Sequence, residues 1–196
     1  MHRRALLAAL ALPTALRADP ARQAVLLNML LLGGLNVYLR HAITDRTQSD
    51  GGRLDDRAGQ RNLSAAGIAQ AEALGAAWRR LGLPLGTVLT SPVFRALETA
   101  QRAFGAGAVQ VAPFLAADDY TPDARVLMRN IAQTRARLAQ VPARGNDVFV
   151  GHIVPLGMIL GRSLTQAEFP EGCLAIFHPE AGFRGFVPAD AVGPSQ

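Results

Sequence analysis

The stretch Leu35-Asn-Val-Tyr-Leu-Arg-His41 is the part of the sequence that decides the predicted fold. Its first five residues form a short, mostly apolar run, which is typical of a buried β-strand, and Arg40 and His41 follow at the end of that run. An apolar helix predicted over residues 24–32 precedes the run and ends at Gly33-Gly34. The segment therefore predicts a buried strand that presents an arginine and a histidine at its carboxyl end.

The rest of the chain alternates between predicted helices and strands. Helices are predicted from Ser64 to Leu81, from Ser91-Pro92 onward, from Asp123 to Val141, and after His152 as far as Gly161. Strands are predicted at residues 87–90, 109–111, 147–150, 173–177 and 183–187. Because parallel neighbouring strands need crossover connections, this alternation predicts an α/β fold of three-layer αβα architecture with a mostly parallel sheet.

Polar residues follow three of the predicted strands. Arg40 and His41 follow the first strand, Arg95 lies in the helix after the second, and His152 follows the strand at residues 147–150. Sites in parallel sheets lie beyond the carboxyl ends of the strands, so these four side chains are expected to converge. Guanidinium and imidazole groups together form an electropositive pocket that suits a tetrahedral dianion such as phosphate. A neutral imidazole in line with phosphorus can then act as a nucleophile, while the other groups stabilise negative charge.

Each of these residues also has an ordinary structural interpretation. His41 and His152 are individually compatible with hydrogen-bonded core histidines, and Arg95 with an ion pair on a helix surface. Zinc binding and serine hydrolysis are disfavoured, because the sequence contains no H-E-x-x-H, no Cys/His ligand spacing and no G-x-S-x-G. The joint occurrence of the residues at equivalent strand ends favours a shared anion site without a metal.

The composition narrows the class of protein. A length of 196 residues suits one domain, and 49% hydrophobic with 18% charged residues favours a globular core. All 20 basic residues are arginine, which excludes lysine Schiff bases and a Walker-type phosphate lysine. The lone Cys173 lies in an apolar run, which predicts a buried strand thiol.

Residues 1–18 have the pattern of an export signal. Arg3-Arg4 form a positive region, residues 5–16 an apolar region, and Leu16-Arg17-Ala18 a cleavage site, although an ordinary N-terminal helix is the alternative. The apolar run is shorter than the roughly 20 residues that span a bilayer, so no stable membrane insertion is predicted after signal removal. Residues 19–196 then form a single domain, periplasmic or secreted if the signal is cleaved and cytoplasmic if it is not. Their 17 arginines and 15 acidic residues leave a net charge of +2, which does not support nucleic-acid binding.

Four segments of the sequence form an ordered set of motifs. They are Tyr38-Leu-Arg-His-Ala42, Arg61-Asn-Leu-Ser-Ala-Ala-Gly67 through Gln70-Ala71, Thr90-Ser-Pro-Val-Phe-Arg-Ala-Leu-Glu-Thr-Ala100 and Val148-Phe-Val-Gly-His152. This set resembles the histidine phosphatase superfamily, the phosphoglycerate-mutase-like fold, over most of residues 35–160. The resemblance implies that His41 is the phosphorylated nucleophile and Arg40 its neighbour in the phosphate pocket. It also implies that Arg95 and His152 complete the pocket.

The sequence departs from the superfamily pattern at two places. Ala42 follows His41, where the superfamily more often has glycine. Ile153 follows His152, where the acid-phosphatase and phytase branch has the aspartate that donates a proton. That branch's proton donor is therefore missing from this chain.

The general acid must then come from another part of the sequence. In the mutase-like branch it is a carboxylate from the loop after the third helix, and Asp118 and Asp119 lie in the corresponding predicted loop, residues 113–122. We favour this pair over Asp123 and Glu98. Without a positioned acid, the reaction would favour substrates with good leaving groups, such as phosphohistidine or aryl phosphates.

The sequence as a whole predicts an exported phosphatase that hydrolyses phosphomonoesters or phosphohistidine through a covalent phosphohistidine intermediate. It needs no cofactor, and its substrate is a small-molecule or protein-borne phosphate. A phosphoglycerate-mutase-type phosphotransferase and a non-catalytic anion-binding protein are the alternatives. Specificity is assigned to the polar loop 44–62 and the loop 113–122, while substrate identity and oligomeric state stay open.

Overall fold

The computed structural model describes residues 20–192, so the predicted export signal at residues 1–18 lies outside the described chain. The strands of the described chain are β1 (Asn36–Arg40), β2 (Leu85–Thr90), β3 (Val109–Val111), β4 (Asn146–Gly151), β5 (Leu174–His178) and β6 (Gly182–Val187). Its α-helices are α1 (Pro20–Leu32), α2 (Ala65–Arg80), α3 (Phe94–Phe104), α4 (Ala124–Leu138), α5 (Ile153–Leu160) and α6 (Ala189–Val192). Within residues 20–192 no helix is both long and apolar enough to span a bilayer.

The strands form one sheet in the order β3-β2-β4-β1-β5-β6. The four strands from β3 to β1 run parallel, β5 is antiparallel to β1, and β6 is antiparallel to β5. The predicted α/β fold with a mostly parallel sheet is therefore confirmed. The antiparallel edge arises because β5 and β6 are joined by a tight turn instead of a helical crossover.

The two faces of the sheet are covered by different helices, as the alternation of side chains along each strand requires. Val37 and Leu39 of β1 pack with residues of α1, α2 and α3. Tyr38, between them, packs with residues of α4 and α5 on the opposite face.

Cys173 is buried, as predicted, and burial raises the pKa of its thiol to about 12.

Helix α2 begins as predicted and lies very close to the end of β1. Ser64 is its N-cap and accepts a hydrogen bond from the N–H of Gly67. Gly67 in turn lies against the backbone of Ile43, two residues beyond His41, so tightly that a Cβ there would overlap the carbonyl oxygen of Ile43. The glycine therefore sets the distance between this helix and the segment that follows β1.

We expect Gly67→Ala to lower the free energy of unfolding by about 3 kcal/mol, because a backbone carbonyl cannot move aside as a side chain can. Urea denaturation of the full chain measures the change. Gly107→Ala is the matched control, since a Cβ at Gly107 would meet no described atom within 4 Å, and its effect should stay within about 0.5 kcal/mol. Equal stabilities of the two variants would contradict the close contact.

Helix α3 corrects the prediction that Ser91-Pro92 starts the third helix. The helix begins at Phe94, and Arg95 is its second residue instead of lying a full turn inside. The hydroxyl of Ser91 accepts a hydrogen bond from the N–H of Val93, which forms a turn before the helix. The side chain of the fully buried Gln60, in loop 44–62, accepts from the N–H of Phe94 at 3.0 Å. The helix is therefore capped from a distant loop, a contact that local sequence does not reveal.

Helix α4 ends at Leu138, three residues before the predicted end at Val141. The side-chain amide of the buried Asn36 donates hydrogen bonds to the carbonyls of Leu138 and Gln140, which satisfies the end of the helix from β1. Asp123 is its N-cap, as the predicted boundary requires. The preceding loop 113–122 contains two short 3₁₀ turns, and the second, Asp118–Tyr120, carries both predicted acids.

Candidate active site

The residues predicted to form an anion site are brought together at the carboxyl ends of three neighbouring strands. Arg40 ends β1 and His41 follows it, His152 follows β4, and Arg95 lies at the start of the helix after β2. All four are at most 3% exposed. The rings of His41 and His152 lie 5.4 Å apart, centroid to centroid, with an angle of 52° between their planes.

The hydrogen bond made by His41 leaves Nε2 as the ring nitrogen without a proton. Its Nδ1 lies 2.9 Å from the carbonyl oxygen of Ala42, and because a carbonyl only accepts, Nδ1 carries the ring proton. Burial lowers the pKa of His41 well below its usual value, and the guanidiniums of Arg95 and Arg40 lower it further against the opposing effect of that hydrogen bond. The ring is therefore neutral at pH 7, with its lone pair on Nε2.

His152 is held in the complementary arrangement. The hydroxyl of Tyr38 accepts from its backbone N–H and donates to its carbonyl oxygen, which fixes the residue at the end of β4. Its Nε2 lies 2.9 Å from the hydroxyl oxygen of Ser91, which already accepts from the N–H of Val93. The Ser91 hydroxyl can donate its proton to Nε2, and in that tautomer the ring proton is on Nδ1.

The electrostatic character of the site comes from three arginines. Arg40 donates to the carbonyl of Phe169 at 2.6 Å, and burial lowers the pKa of this guanidinium to about 10, so it is still charged at pH 7. Arg95 donates from Nη1 to Asp50 at 2.7 Å. Arg61 is close enough that its charge also lowers the pKa of both histidines.

Buried donors without partners gather around the two rings. The Nε groups of Arg40, Arg61 and Arg95, and Nδ1 of His152, are buried and have no hydrogen-bond partner within residues 20–192. Leaving a buried donor unpaired costs on the order of 1–3 kcal/mol, more for a charged group. The charges of Arg40, Arg61 and Arg95 lower the pKa of both histidines, so these arginines lie close to the two rings. Nowhere within residues 20–192 do three or more His, Cys, Asp or Glu side chains form a group that could hold a metal ion.

The two predicted acids differ in their relation to the pocket. Asp119 lies 3.6 Å from Nη2 of Arg95, with its side chain 44% exposed. Burial raises the pKa of Asp119 above its usual value, and the carboxylates of Asp50 and Asp118 add to the rise against the effect of Arg95. Asp118 lies beside it and is half-buried. Of the pair, Asp119 is therefore the carboxyl group in direct contact with a pocket arginine.

The two less favoured acids have other contacts. Glu98 forms ion pairs with Arg57 and Arg102 instead of orienting Arg95. Asp123 accepts hydrogen bonds from backbone N–H groups as the N-cap of α4. Neither carboxylate is therefore free of another partner.

Part of the chain matches a known family model. Residues 37–116 match the family model of the histidine phosphatase superfamily, branch 1. The predicted resemblance to the histidine phosphatase superfamily is confirmed. The part that matches this superfamily includes Arg40, His41 and Arg95, while His152 and both predicted acids lie beyond it. No curated protein matches the chain in sequence.

Several solved structures share the fold of this chain. The protein histidine phosphatase SixA, complexed with tungstate, is 14% identical over 81% of this chain and 99% of its own, with a TM-score of 0.54. The product of the open reading frame Rv3214 of Mycobacterium tuberculosis is 22% identical over 79% and 95%, also at 0.54. Phosphoserine phosphatase of Entamoeba histolytica, complexed with 3-phosphoglyceric acid, is 16% identical over 81% and 99%, at 0.53. At these identities the similarity establishes the fold.

Four residues of the site were not among the residues predicted from the sequence. Asp50 and Tyr120 lie in loops without a recognisable motif, and their contact with Arg95 depends on how those loops fold. Arg61 and Ser91 do lie in two of the four matching segments: Arg61 begins the second segment, and Ser91 is the second residue of the third. An arginine and a serine inside the matching segments were therefore a usable signal, whereas Asp50 and Tyr120 gave none.

Proposed function

We propose that this protein is a phosphatase that hydrolyses phosphomonoesters, or phosphohistidine, through a covalent phosphohistidine on His41. The observation that carries the proposal is the set of buried, unpartnered N–H donors around a neutral imidazole whose Nε2 lone pair is free. Guanidinium groups bind phosphate oxygens through charge-assisted hydrogen bonds, and these donors suit a phosphoryl group in that position. The match to the histidine phosphatase superfamily supports the same reaction class.

The first step transfers the phosphoryl group to the enzyme. The Nε2 lone pair of His41 attacks phosphorus, and the bond between phosphorus and the ester oxygen breaks with its electron pair on that oxygen. Asp119, which contacts Arg95 and whose pKa burial raises above its usual value, donates a proton to the leaving oxygen. Arg40, Arg95 and the Nδ1–H of His152 stabilise the charge on the remaining phosphoryl oxygens.

The second step returns the enzyme to its starting state. Water attacks the phosphorus of phosphohistidine, and the P–N bond breaks with its electron pair back on Nε2 of His41. The Asp119 carboxylate takes the proton from the attacking water. Neither step needs a group outside the chain other than substrate and water.

Phosphate release from a panel of aryl and alkyl monoesters tests the proposal. Isomer interconversion without release would indicate a mutase, and no turnover of even an activated aryl phosphate would indicate a binding protein.

We expect Asp119→Asn to slow hydrolysis of alkyl phosphates by about 10²-fold or more and to affect p-nitrophenyl phosphate little, because a poor leaving group needs the proton and a good one does not. Steady-state rates on both substrates measure the difference. Asp118→Asn is the matched comparison in the same 3₁₀ turn. A larger loss on alkyl phosphates in that variant would transfer the role to Asp118.

We also propose that the substrate is a small-molecule or protein-borne phosphate and that the protein is exported. A small-molecule or protein-borne phosphate fits the pocket equally, because the donors described above recognise only the phosphoryl group. Export through residues 1–18 is supported by the sequence pattern alone. Sequencing the N-terminus of the protein recovered from its natural host would test cleavage after Ala18.

A further inference from the structure

Asp50 is a buried carboxylate in a loop that is otherwise mostly exposed. It belongs to loop 44–62, yet its side chain is only 13% exposed. Its Oδ1 accepts three hydrogen bonds, from Nη1 of Arg95 at 2.7 Å, from the hydroxyl of Tyr120 at 2.5 Å, and from the backbone N–H of Arg61 at 3.1 Å. A single oxygen thus joins α3, the loop 113–122 and loop 44–62.

These contacts keep Asp50 ionised. Burial alone would raise its pKa, but the hydrogen bonds from Tyr120, Arg61 and Arg95 outweigh burial and hold the pKa below the usual value. Burial and the neighbouring carboxylate raise the pKa of Tyr120, so its hydroxyl stays a donor. The ring of Tyr120 also lies against the guanidinium of Arg95, 5.7 Å from Cζ to the ring centre.

Asp119 is on the other side of the same guanidinium. Nη1 of Arg95 pairs with Asp50, and Nη2 lies 3.6 Å from Asp119, so one cation is shared between two carboxyl groups. The charged groups that act on Asp119 are Arg95 from α3, Asp50 from loop 44–62 and Asp118 from its own turn. Two carboxyl groups whose environments push their pKa values in opposite directions are characteristic of an acid and its charged partner.

We propose that Asp50 is a positioning residue of this site, a carboxylate that orients Arg95, anchors the Tyr120 turn and opposes ionisation of Asp119 across the shared guanidinium. The inference rests on the proposed function insofar as Asp119 is the proton donor. Asp50 is not itself proposed to contact the substrate. It acts through Arg95, which it holds in place, and through its charge, which opposes ionisation of its neighbour. A bound phosphoryl dianion adds further negative charge and acts in the same direction.

The proposal can be tested without measuring catalysis. In the full chain, ¹³C-carboxyl NMR follows the titration of Asp119 in the wild type and in Asp50→Asn. The asparagine keeps the shape and an acceptor oxygen for the three donors but removes the charge, so the Asp119 midpoint should fall by about one pH unit. An unchanged midpoint in a folded Asp50→Asn protein would overturn the proposal.

Two further variants separate charge from local structure. Asp55→Asn makes the same chemical change in the same loop, at a side chain that is 75% exposed and paired with Arg53, and should leave the Asp119 midpoint in place. Tyr120→Phe removes a donor from Asp50 without removing a charge, and should also leave it close to the wild-type value. A shift in Tyr120→Phe as large as in Asp50→Asn would overturn the role of charge. The wild type alone is also decisive, because Asp50 must titrate below Asp119.

The kinetic readout distinguishes failure of this inference from failure of the proposed function. With an alkyl phosphate, the basic limb of the kcat/KM profile should move to lower pH in Asp50→Asn by the same amount as the NMR midpoint. With p-nitrophenyl phosphate it should not move. Absence of any phosphatase activity in the wild type would defeat the proposed function, whereas the NMR titration would still decide the coupling. Activity with identical profiles in the wild type and Asp50→Asn would defeat the positioning role alone.

Discussion

His41→Ala is expected to lose phosphate release by on the order of 10⁴-fold or more, because it removes the only group proposed to form a bond to phosphorus. The pocket arginines would still bind phosphate in this variant, so affinity for inorganic phosphate should persist. With ³²P-labelled substrate, quenching in alkaline detergent should leave a base-stable, acid-labile label on the wild-type protein and none on the variant. The label and the turnover rate are measured on the same preparations.

His178→Ala is the control for loss of a histidine. His178 is the last residue of β5, and its Nδ1 accepts from the backbone N–H groups of Glu180 and Ala181 in the turn that follows. Because β5 is antiparallel to β1, this residue lies at the opposite end of β1 from His41. Turnover by this variant should match the wild type. Rapid hydrolysis by wild-type protein with no trapped label, or by His41→Ala, would rule out the covalent route.

Between pH 6.5 and pH 5 we expect the free energy of unfolding to fall by up to about 2.7 kcal/mol per pH unit from His41 and His152 together. Burial and the neighbouring arginines lower the pKa of both rings well below the usual value in the folded protein. As the pH falls below about 6.5, the unfolded chain therefore binds two protons that the folded chain does not. The loss begins at the unfolded pKa and ends only where the folded histidines are protonated.

Urea denaturation at several pH values and constant ionic strength measures this slope. His41→Gln should reduce the histidine contribution by about half, because one buried ring remains to contribute about 1.4 kcal/mol per pH unit. Restricting the comparison to pH above 5 keeps most carboxylates ionised in both states. A slope that is equal in the wild type and His41→Gln would show that His41 is not held neutral by the fold.

Much of the fold could be predicted from local sequence, and particular elements show why. Ser64 marks the start of α2 because a serine hydroxyl pairs with backbone N–H groups that a helix leaves free, and those groups are three residues away. The alternation of Val37, Tyr38 and Leu39 serves the two faces of β1. The predicted start of α3 was wrong because the N–H of its first residue is capped by Gln60, 34 residues earlier in the chain.

The site residues likewise separate into those that local sequence predicts and those that depend on tertiary contacts. Arg40, His41, Arg95 and His152 could be predicted to meet, because parallel strands place their carboxyl ends together. Arg40, His41 and His152 stand at or directly after a strand end, and Arg95 lies in the first turn of the helix that follows β2. The choice between Asp118 and Asp119 could not be predicted, because both are carboxylates of one turn and only contact with Arg95 separates them. Asp50 was missed because nothing local distinguishes it from the exposed acids of the same loop.

The sequence by itself determined the layered α/β architecture, the absence of lysine chemistry and the identity of the four residues at the strand ends. These depend on side-chain periodicity and on residue type, which act over a few neighbouring positions. Only the tertiary structure decided which nitrogen of His41 is free, which of the two predicted acids contacts Arg95, and which loop carboxylate holds that arginine. Those properties arise from burial and from hydrogen bonds between residues far apart in the chain, and both exist only once the loops have folded against the sheet.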